Sequence, residues 1–398
     1  MWRLGFFFHE MGFGLLSVFL PLYVYSIART PAEGLFNFGV MAAVGLFAAI
    51  PASFFWGYMC DKTRHYKRYI LLAFLLSAIM LCLFTLTKNI GLLITLYAAM
   101  SVFHSAHEAP KNILTSELYS HQDWRKNFAF YEGLTEVGSL IGLLLGFFAS
   151  TYGLSTANMF FMVAGLNFLA FCLSAIFVVD PPLIFERSLV TIEKTVDFAS
   201  HGLFLASKMM DGIALDEKLK RENVTAFCCG LVLFSLATSM LFTPLPIFVS
   251  ALPATSALVF AIFVLNSVGN VAGYAFAGRA QEKSNGKSTI GRPVLVRGLL
   301  AFVLLAALKT SSFNVLLTTA VLIFMGFLFA FFMIHVFLLS MELIPSGRAG
   351  LINVLIGLGA AFGSFTGPFI ASTVGFFDVF VIAGALFLVA FLFFKVFA

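Results

Sequence analysis

Residues 34–68 read GLFNFGVMAAVGLFAAIPASFFWGYMCDKTRHYKR, an apolar stretch followed at once by a cluster of basic residues. The first 25 of these residues, Gly34 to Tyr58, contain no Asp, Glu, Lys or Arg. A helix of about 20 residues crosses the ~30 Å of hydrocarbon in a bilayer, so this stretch is long enough to span a membrane. The basic cluster behind it is typical of a loop on the cytoplasmic side.

The same alternation of apolar stretch and short polar loop continues along the whole chain of 398 residues. Apolar residues make up 61% of the chain, charged residues make up 11%, and the mean hydropathy is +1.00. Soluble proteins carry about 25% charged residues, so the composition excludes a soluble enzyme. We predict twelve membrane-spanning helices, at residues 4–27, 34–58, 69–87, 90–116, 127–151, 156–179, 224–250, 256–278, 294–310, 313–340, 349–373 and 375–396.

One long polar stretch, residues 180–223, separates the sixth predicted span from the seventh. It divides the chain into an N-terminal six-helix bundle (1–179), a linker (180–223) and a C-terminal six-helix bundle (224–398). Within the linker, apolar residues recur at spacings of three and four from Phe185 to Leu203, which predicts an amphipathic helix. The predicted fold class is an all-α polytopic membrane protein with two six-helix bundles.

The positions of Lys and Arg predict the orientation in the membrane. With the N-terminus inside, the outward loops carry three basic residues, Arg29, Lys88 and Lys309, whereas the inward loops and tails carry fourteen outside the linker. Cytoplasmic loops hold the excess of positive charge, so we expect a multi-pass protein of the plasma membrane with cytoplasmic termini and linker. The fourteen are Arg3, Lys62, Arg64, Lys67, Arg68, Arg125, Lys126, Arg279, Lys283, Lys287, Arg292, Arg297, Arg348 and Lys395.

The two halves also repeat each other in sequence. Glu117-Leu118 is followed 21 residues later by GSLIG at 138–142, and Glu342-Leu343 is followed at the same distance by GSFTG at 363–367. A tandem duplication of a six-span unit accounts for this spacing. The glycines within the fifth and eleventh spans predict close packing of these helices against neighbours.

The loop after the second span carries Gly57, Asp61 and Lys62, in the order glycine, three residues, aspartate, basic residue. With the six plus six spans and the long central loop, it resembles the major facilitator superfamily over essentially the whole chain. Arg64 stands where the family pattern has a second glycine. The resemblance implies a transporter that works by alternating access, with spans one, four, seven and ten lining a central cavity.

The resemblance also implies a gate on the cytoplasmic side. We expect Gly57 to let two helices approach closely, and the Asp61 carboxylate to pair with an arginine or a helix N-terminus. The alternative is a plain basic loop that only fixes orientation. The residues of the expected gate motif are Gly57, Asp61, Lys62, Arg64, Arg125 and Arg348.

Ionisable side chains inside the predicted spans are the candidates for chemistry. Each costs about 2.5–3.5 kcal/mol at a lipid-facing bilayer centre, so we expect these side chains to face protein or water. Four carboxylates and one lysine leave an excess of negative charge, which predicts that these carboxylates bind protons or a cation. The proton-coupling or cavity residues are Glu10, His104, His107, Glu108, Lys111, Glu132, Glu136 and His335.

Glu108 is the first candidate for a proton carrier and Glu10 the second. In the alternative, Lys111 forms an ion pair with Glu108, while Glu132 and Glu136 pack against Arg125 or Lys126 near the interface. His104, His107 and Glu108 have the chemistry of metal ligands, but without a fixed third helix this signal is weak. We therefore predict no metal site and no cofactor.

The C-terminal bundle is poor in charge, and the chain contains 51 phenylalanines. A cavity with phenylalanine walls and few polar groups suits an apolar or amphipathic solute better than a sugar. The candidate residues of a substrate cavity are His9, Thr238, Thr243, Asn266 and Asn270.

The chain has no phosphate-binding glycine loop followed by Lys and Ser or Thr, and no nucleophile with a base at an aqueous surface. We therefore expect neither an enzyme nor an ATP-driven pump. The predicted function is proton-coupled export of an amphipathic small molecule by a secondary transporter. The alternatives are a proton symporter that takes up an organic solute and, further removed, a channel or a metal-ion transporter. The expected partners are a small-molecule substrate, protons and the lipid bilayer, without nucleic acid, for a monomeric chain.

Overall fold

The structure is a computed structural model that describes residues 2–117, 124–180, 224–252, 255–279, 286–309, 314–343 and 350–397. Within those ranges every regular element is a helix, which confirms the predicted all-α fold. The predicted linker helix lies outside the described residues. The helices are α1 (Arg3–Ile27), α2 (Pro31–Thr63), α3 (Tyr66–Phe84), α4 (Ile90–His104), a 3₁₀ turn (Ser105–His107), α5 (Glu108–Glu117), α6 (Trp124–Thr151), α7 (Thr156–Phe177), α8 (Val224–Phe242), α9 (Leu245–Ala251), α10 (Ser256–Arg279), α11 (Gly286–Lys309), α12 (Asn314–Leu343), α13 (Gly350–Thr373) and α14 (Phe376–Phe397).

In the described part of the chain, eleven helical segments are long and apolar enough to cross a membrane. The twelfth predicted span, α14, is among these eleven segments. The ninth predicted span is not; it corresponds to α11, a helix of 24 residues that contains two arginines. α11 begins at Gly286, eight residues before the predicted start of that span. The helix count and lengths therefore agree with a polytopic membrane protein.

The fourth predicted span, residues 90–116, is matched by a segment long and apolar enough to cross a membrane, Ile90–Lys111, but this segment is not one continuous α-helix. α4 ends at His104, a 3₁₀ turn covers Ser105–His107, and α5 then begins. Pro110 explains the break, because proline has no N–H to bond the carbonyl four residues earlier and its ring clashes with that carbonyl. The carbonyl in question belongs to Ala106, inside the 3₁₀ turn.

The seventh predicted span, residues 224–250, is matched by the segment Val224–Ala251, which is also interrupted. α8 ends at Phe242 and α9 begins at Leu245. Pro244 and Pro246 remove two backbone donors at this point, so the α-helical hydrogen-bond ladder cannot continue. The short α9 packs against α1, so this segment of the C-terminal half contacts the N-terminal half.

Close packing by the glycines of the fifth and eleventh spans is confirmed, and both halves use the same geometry. In α6, Gly142 lies directly against the backbone carbonyl of Met11 in α1. In α13, Gly367 lies in the same way against the carbonyl of Met240 in α8. Without a side chain at these positions the paired helices approach to backbone contact, which is the usual role of small residues in membrane helices.

Replacing Gly142 with leucine is expected to destabilise the protein by about 1–3 kcal/mol or more, because the new side chain would enter the backbone of α1. The matched control is Gly165→Leu in α7, where no atom of the described ranges lies within 4 Å of an added Cβ. The melting temperature of the detergent-solubilised protein measures the effect. Equal melting temperatures for the two variants would contradict the packing described here.

Besides the contact of α9 with α1, two long helix pairs join the N-terminal half to the C-terminal half. α6 packs along α10, where the Gly146 backbone meets the Phe260 ring, and α2 packs along α13. In the second pair, the Phe47 and Phe362 rings meet edge to face at 5.3 Å. These pairs join span five to span eight and span two to span eleven. In the duplication, span five corresponds to span eleven and span two corresponds to span eight. The two interfaces between the halves are therefore equivalent.

Candidate functional site

Three histidine side chains meet inside the N-terminal half. His9 comes from α1, His104 ends α4, and His107 ends the 3₁₀ turn. One ring nitrogen from each lies within 4.8 Å of the others. His9 and His107 are fully buried. The break at Pro110 matters here, because it forms the 3₁₀ turn that carries His107.

The His9 ring is held in place by two hydrogen bonds. Its Nδ1 lies 2.6 Å from Oδ1 of Asn167 in α7, and its Nε2 lies 3.0 Å from Nδ1 of His104. The rings of Phe13 and Phe74 pack on it, with centroid distances of 4.7 and 4.3 Å. His9, which we expected to line a substrate cavity, therefore lies within the N-terminal bundle.

A lysine and two glutamates form a charged cluster next to the histidines. Lys111 Nζ lies 2.9 Å from Glu108 Oε2 and 4.0 Å from Glu132 Oε1. On the other side, Glu108 Oε1 lies 3.4 Å from Nε2 of His107. The structure thus has the ion pair between Lys111 and Glu108, which was the alternative to a Glu108 carboxylate that carries a proton.

Glu10 and Glu136 differ from this pair, since neither carboxylate has a cation within ion-pairing distance among the described residues. Glu136 instead accepts hydrogen bonds from Ser267 Oγ at 2.6 Å and from Asn270 Nδ2 at 3.0 Å. Both donors belong to α10, so this carboxylate links the two halves of the chain. The side chains of Arg125 and Lys126, the alternative partners from the sequence, lie outside the described residues.

The polar residues of the C-terminal half bond mainly to neighbouring helices. Thr243 donates to Ser364 Oγ at 3.0 Å, and Asn266 donates to the Leu322 carbonyl at 2.6 Å. His335 Nδ1 lies 2.8 Å from the carbonyl of Phe331, one turn earlier in α12. These contacts use hydrogen-bonding groups that we had expected to face a solute.

Arg297 is a buried residue that we assigned from the sequence to a cytoplasmic loop, and this assignment was wrong. Its side chain is 0% exposed and donates to the Met325 carbonyl at 3.0 Å, with Thr238 Oγ1 at 3.4 Å. Its position within the predicted span 294–310 was the signal that could have placed it. The guanidinium lies 5.3–5.4 Å from the centroids of four rings, those of Phe234, Phe242, Phe329 and Phe387.

The expected gate motif is only partly described. Among the described residues, Gly57 does not bring two helices together, contrary to the prediction, because no atom of that part of the chain lies within 4 Å of an added Cβ. Lys62 Nζ lies 5.8 Å from the centre of the Tyr58 ring. The side chains of Asp61 and Arg125 and all of Arg348 lie outside the described residues.

Arg64 ends α2 in the left-handed conformation, with a φ of 55°. Its N–H donates to the carbonyl of Cys60 at 2.8 Å and so caps the helix. Glycine adopts this conformation at no steric cost, which gives a physical reason for a glycine at the same place in the family pattern.

Comparison with known proteins gives consistent matches. The model of the family described as Major Facilitator Superfamily matches residues 4–358. Two relatives named "Multidrug resistance protein MdtG", from Enterobacter lignolyticus (strain SCF1) and Serratia proteamaculans (strain 568), are each 31% identical over 179 residues. The match covers 44% of this chain and 41% and 42% of the relatives, so it spans less than half of their length.

Solved structures share the fold along the whole chain. A D-xylose-proton symporter superposes with a TM-score of 0.74 at 16% identity, covering 100% of this chain and 96% of the symporter. The xylose transporter XylE from E. coli, in a partially occluded inward-open conformation, gives a TM-score of 0.73 at 15% identity and covers 98% and 97%. At these identities the likeness concerns the fold alone.

Proposed function

The chain belongs to the Major Facilitator Superfamily, and from that premise we propose that it exports an amphipathic small molecule in exchange for protons. Members of this family are membrane transporters and not enzymes, which agrees with the sequence prediction. The observation that carries the proposal is the uneven set of charges in the N-terminal bundle. The predicted spans of this bundle carry four carboxylates, Glu10, Glu108, Glu132 and Glu136, and one lysine, Lys111, which contacts Glu108 and Glu132.

Lys111 is already engaged by Glu108 and approached by Glu132. This leaves the Glu10 carboxylate without a cation among the described residues. An isolated anion in a poorly hydrated interior is costly, and a bound proton removes that cost. A proton that binds when the site opens to one side and leaves when it opens to the other would couple transport to the proton gradient.

The contacts of Glu136 provide a way to connect protonation with movement of the bundles. Alternating access requires the halves to rock about a central site, so contacts between α6 and α10 must change during the cycle. As a carboxylate, Glu136 accepts strong hydrogen bonds from Ser267 and Asn270. Protonation would weaken those bonds and so favour separation of the helices at this point.

The class of substrate is inferred from two observations. The relatives that share 31% identity over part of the chain are named multidrug resistance proteins, and the chain is rich in phenylalanine. The competing proposal is proton-coupled uptake, because a protein named as a D-xylose-proton symporter has the same fold.

The orientation and surroundings of the chain belong to the same proposal. We place both termini, the linker and the gate around Asp61 on the cytoplasmic side of the plasma membrane, because that side receives the basic loops. Removing Arg297 from the loop count leaves thirteen inward residues against three outward ones, so the excess of positive charge on that side persists.

Proteoliposomes test the proposed function and its direction. With the purified chain in the bilayer, an acidic interior is expected to drive saturable uptake of an amphipathic fluorescent dye, since protons leave as the dye enters. A protonophore should abolish this uptake. Uptake driven by an acidic exterior would instead identify a symporter, and flux that neither saturates nor responds to the protonophore would contradict coupled transport.

A further inference from the structure

The proposed proton-coupled export does not use the cluster formed by His9, His104 and His107. We propose that His9, His104 and His107 bind one divalent transition-metal ion, of the class of Zn²⁺, inside the N-terminal bundle. The inference concerns a resident ion and stands independently of the coupling ion and the direction of transport.

The spacing of the ring nitrogens fits such an ion. Zn²⁺ binds histidine nitrogens at 2.0–2.1 Å in a tetrahedral arrangement, which places two of them about 3.3 Å apart. Nε2 of His9 and Nδ1 of His104 are 3.0 Å apart, and one nitrogen of His107 completes a group that lies within 4.8 Å. Modest shifts of the rings therefore bring three ligands around one ion.

The His9 ring presents a lone pair towards this centre. Nδ2 of Asn167 donates to the Val163 carbonyl at 2.9 Å, which turns the amide oxygen Oδ1 towards His9. Because that oxygen can only accept, Nδ1 of His9 carries the proton and Nε2 has the lone pair. An outer hydrogen bond of this kind is the usual support of a metal-binding histidine.

The His107 ring is oriented in the same way. Its Nδ1 donates to the carbonyl of His104 at 2.5 Å, so its Nε2 also has the lone pair. This Nε2 is buried and has no hydrogen-bond partner in the described part of the chain. This lone pair is therefore available to an ordered water molecule or to a metal ion.

Metal binding by His104 requires one change of tautomer. In the arrangement described above, Nδ1 of His104 donates its proton to Nε2 of His9. When an ion binds, that proton moves to Nε2 of the same ring, and both facing nitrogens become ligands. Imidazole ligands favour zinc, copper, nickel and cobalt, whereas Mg²⁺ and Ca²⁺ prefer oxygen, so we expect no response to Mg²⁺.

Glu108 is the side chain nearest to a fourth coordination position, since its Oε1 lies 3.4 Å from Nε2 of His107. The fourth ligand is this carboxylate or, if Glu108 stays paired with Lys111 at 2.9 Å, a water molecule. All three histidines belong to the N-terminal half, so the ion would not bridge the two halves. It would fix α1 to the 3₁₀ turn of span four, as a stabilising ion and not as cargo.

Zinc titration of the purified chain tests the site. The protein is prepared without a polyhistidine tag, stripped with a chelator, and titrated with ZnCl₂ by calorimetry and by melting temperature. We expect one ion per chain and a higher melting temperature, because an ion that binds the folded state stabilises it. MgCl₂ should leave the melting temperature unchanged.

Variants then assign the ligands. His107→Ala is expected to weaken zinc binding at least tenfold, and Asn167→Ala by about 10–100-fold, because it removes the outer hydrogen bond to His9. Asn167→Asp should restore binding, since a carboxylate accepts the same N–H. His335→Ala is the matched control, because this partly buried histidine lies in α12, and it should bind zinc with unchanged affinity.

A measurement on the unchanged chain covers the case in which His107→Ala fails to fold. X-ray absorption of the zinc-loaded chain should show histidine nitrogens at about 2.0–2.1 Å from the ion. A first shell of oxygen atoms without histidine nitrogen would overturn the proposal. Equal loss of zinc binding in His107→Ala and His335→Ala would overturn it as well.

Discussion

Replacing Glu10 with glutamine is expected to abolish proton-driven transport while exchange of solute for solute continues. Glutamine keeps the size of the side chain and imitates a carboxyl group that never releases its proton. Net transport requires release of that proton in each cycle, whereas exchange requires none. The expected loss of gradient-driven flux is essentially complete, and it is measured in proteoliposomes with the same dye under both conditions.

The structure is the reason for testing Glu10 before Glu108. Lys111 lies 2.9 Å from Glu108 and compensates its charge, whereas Glu10 has no such partner among the described residues. Glu33→Gln is the control, since that partly exposed carboxylate in the first turn of α2 lies outside the cluster. Loss of both activities in folded Glu10→Gln protein would make Glu10 a ligand of the solute. Persistence of both would return the carrier role to Glu108.

Much of the architecture could be predicted from the sequence because membrane helices obey simple constraints. Length and apolarity locate the spans, and the glycine spacing predicts close packing at Gly142 and Gly367, as the structure confirms. The breaks in spans four and seven were missed, although Pro110 and Pro244 were visible. Proline within a membrane helix gives no fixed outcome: α2 continues through Pro51 without interruption.

The candidate site was predicted in part, for a related reason. Spacing along one helix correctly brings Glu108 next to Lys111, because residues three apart share a face. Spacing cannot show that His9 on α1 meets His104, or that Glu136 bonds to α10, because these contacts depend on how separate helices pack. Arg297 was missed because positive charge near a helix end was interpreted as a loop signal.

The ion pair between Glu108 and Lys111 is expected to show strong energetic coupling. Removing one partner leaves the other charged and poorly solvated, at a cost of about 3–5 kcal/mol for a fully buried pair. The Glu108 side chain is 36% exposed, so we expect a value near the lower end, about 3 kcal/mol, for Lys111→Met. Glu108→Gln should cost less, because Lys111 keeps Glu132 at 4.0 Å.

The double variant Glu108→Gln with Lys111→Met separates pairing from the other roles of each residue. With both charges gone, the protein should recover most of the stability lost by Lys111→Met, and the melting temperature in detergent measures this. A double variant whose loss equals the sum of the single losses would contradict the coupling. If the double variant recovers its stability but not its transport, the pair also serves the transport cycle. Lys111 would then matter for the charge of Glu132 and not only for folding.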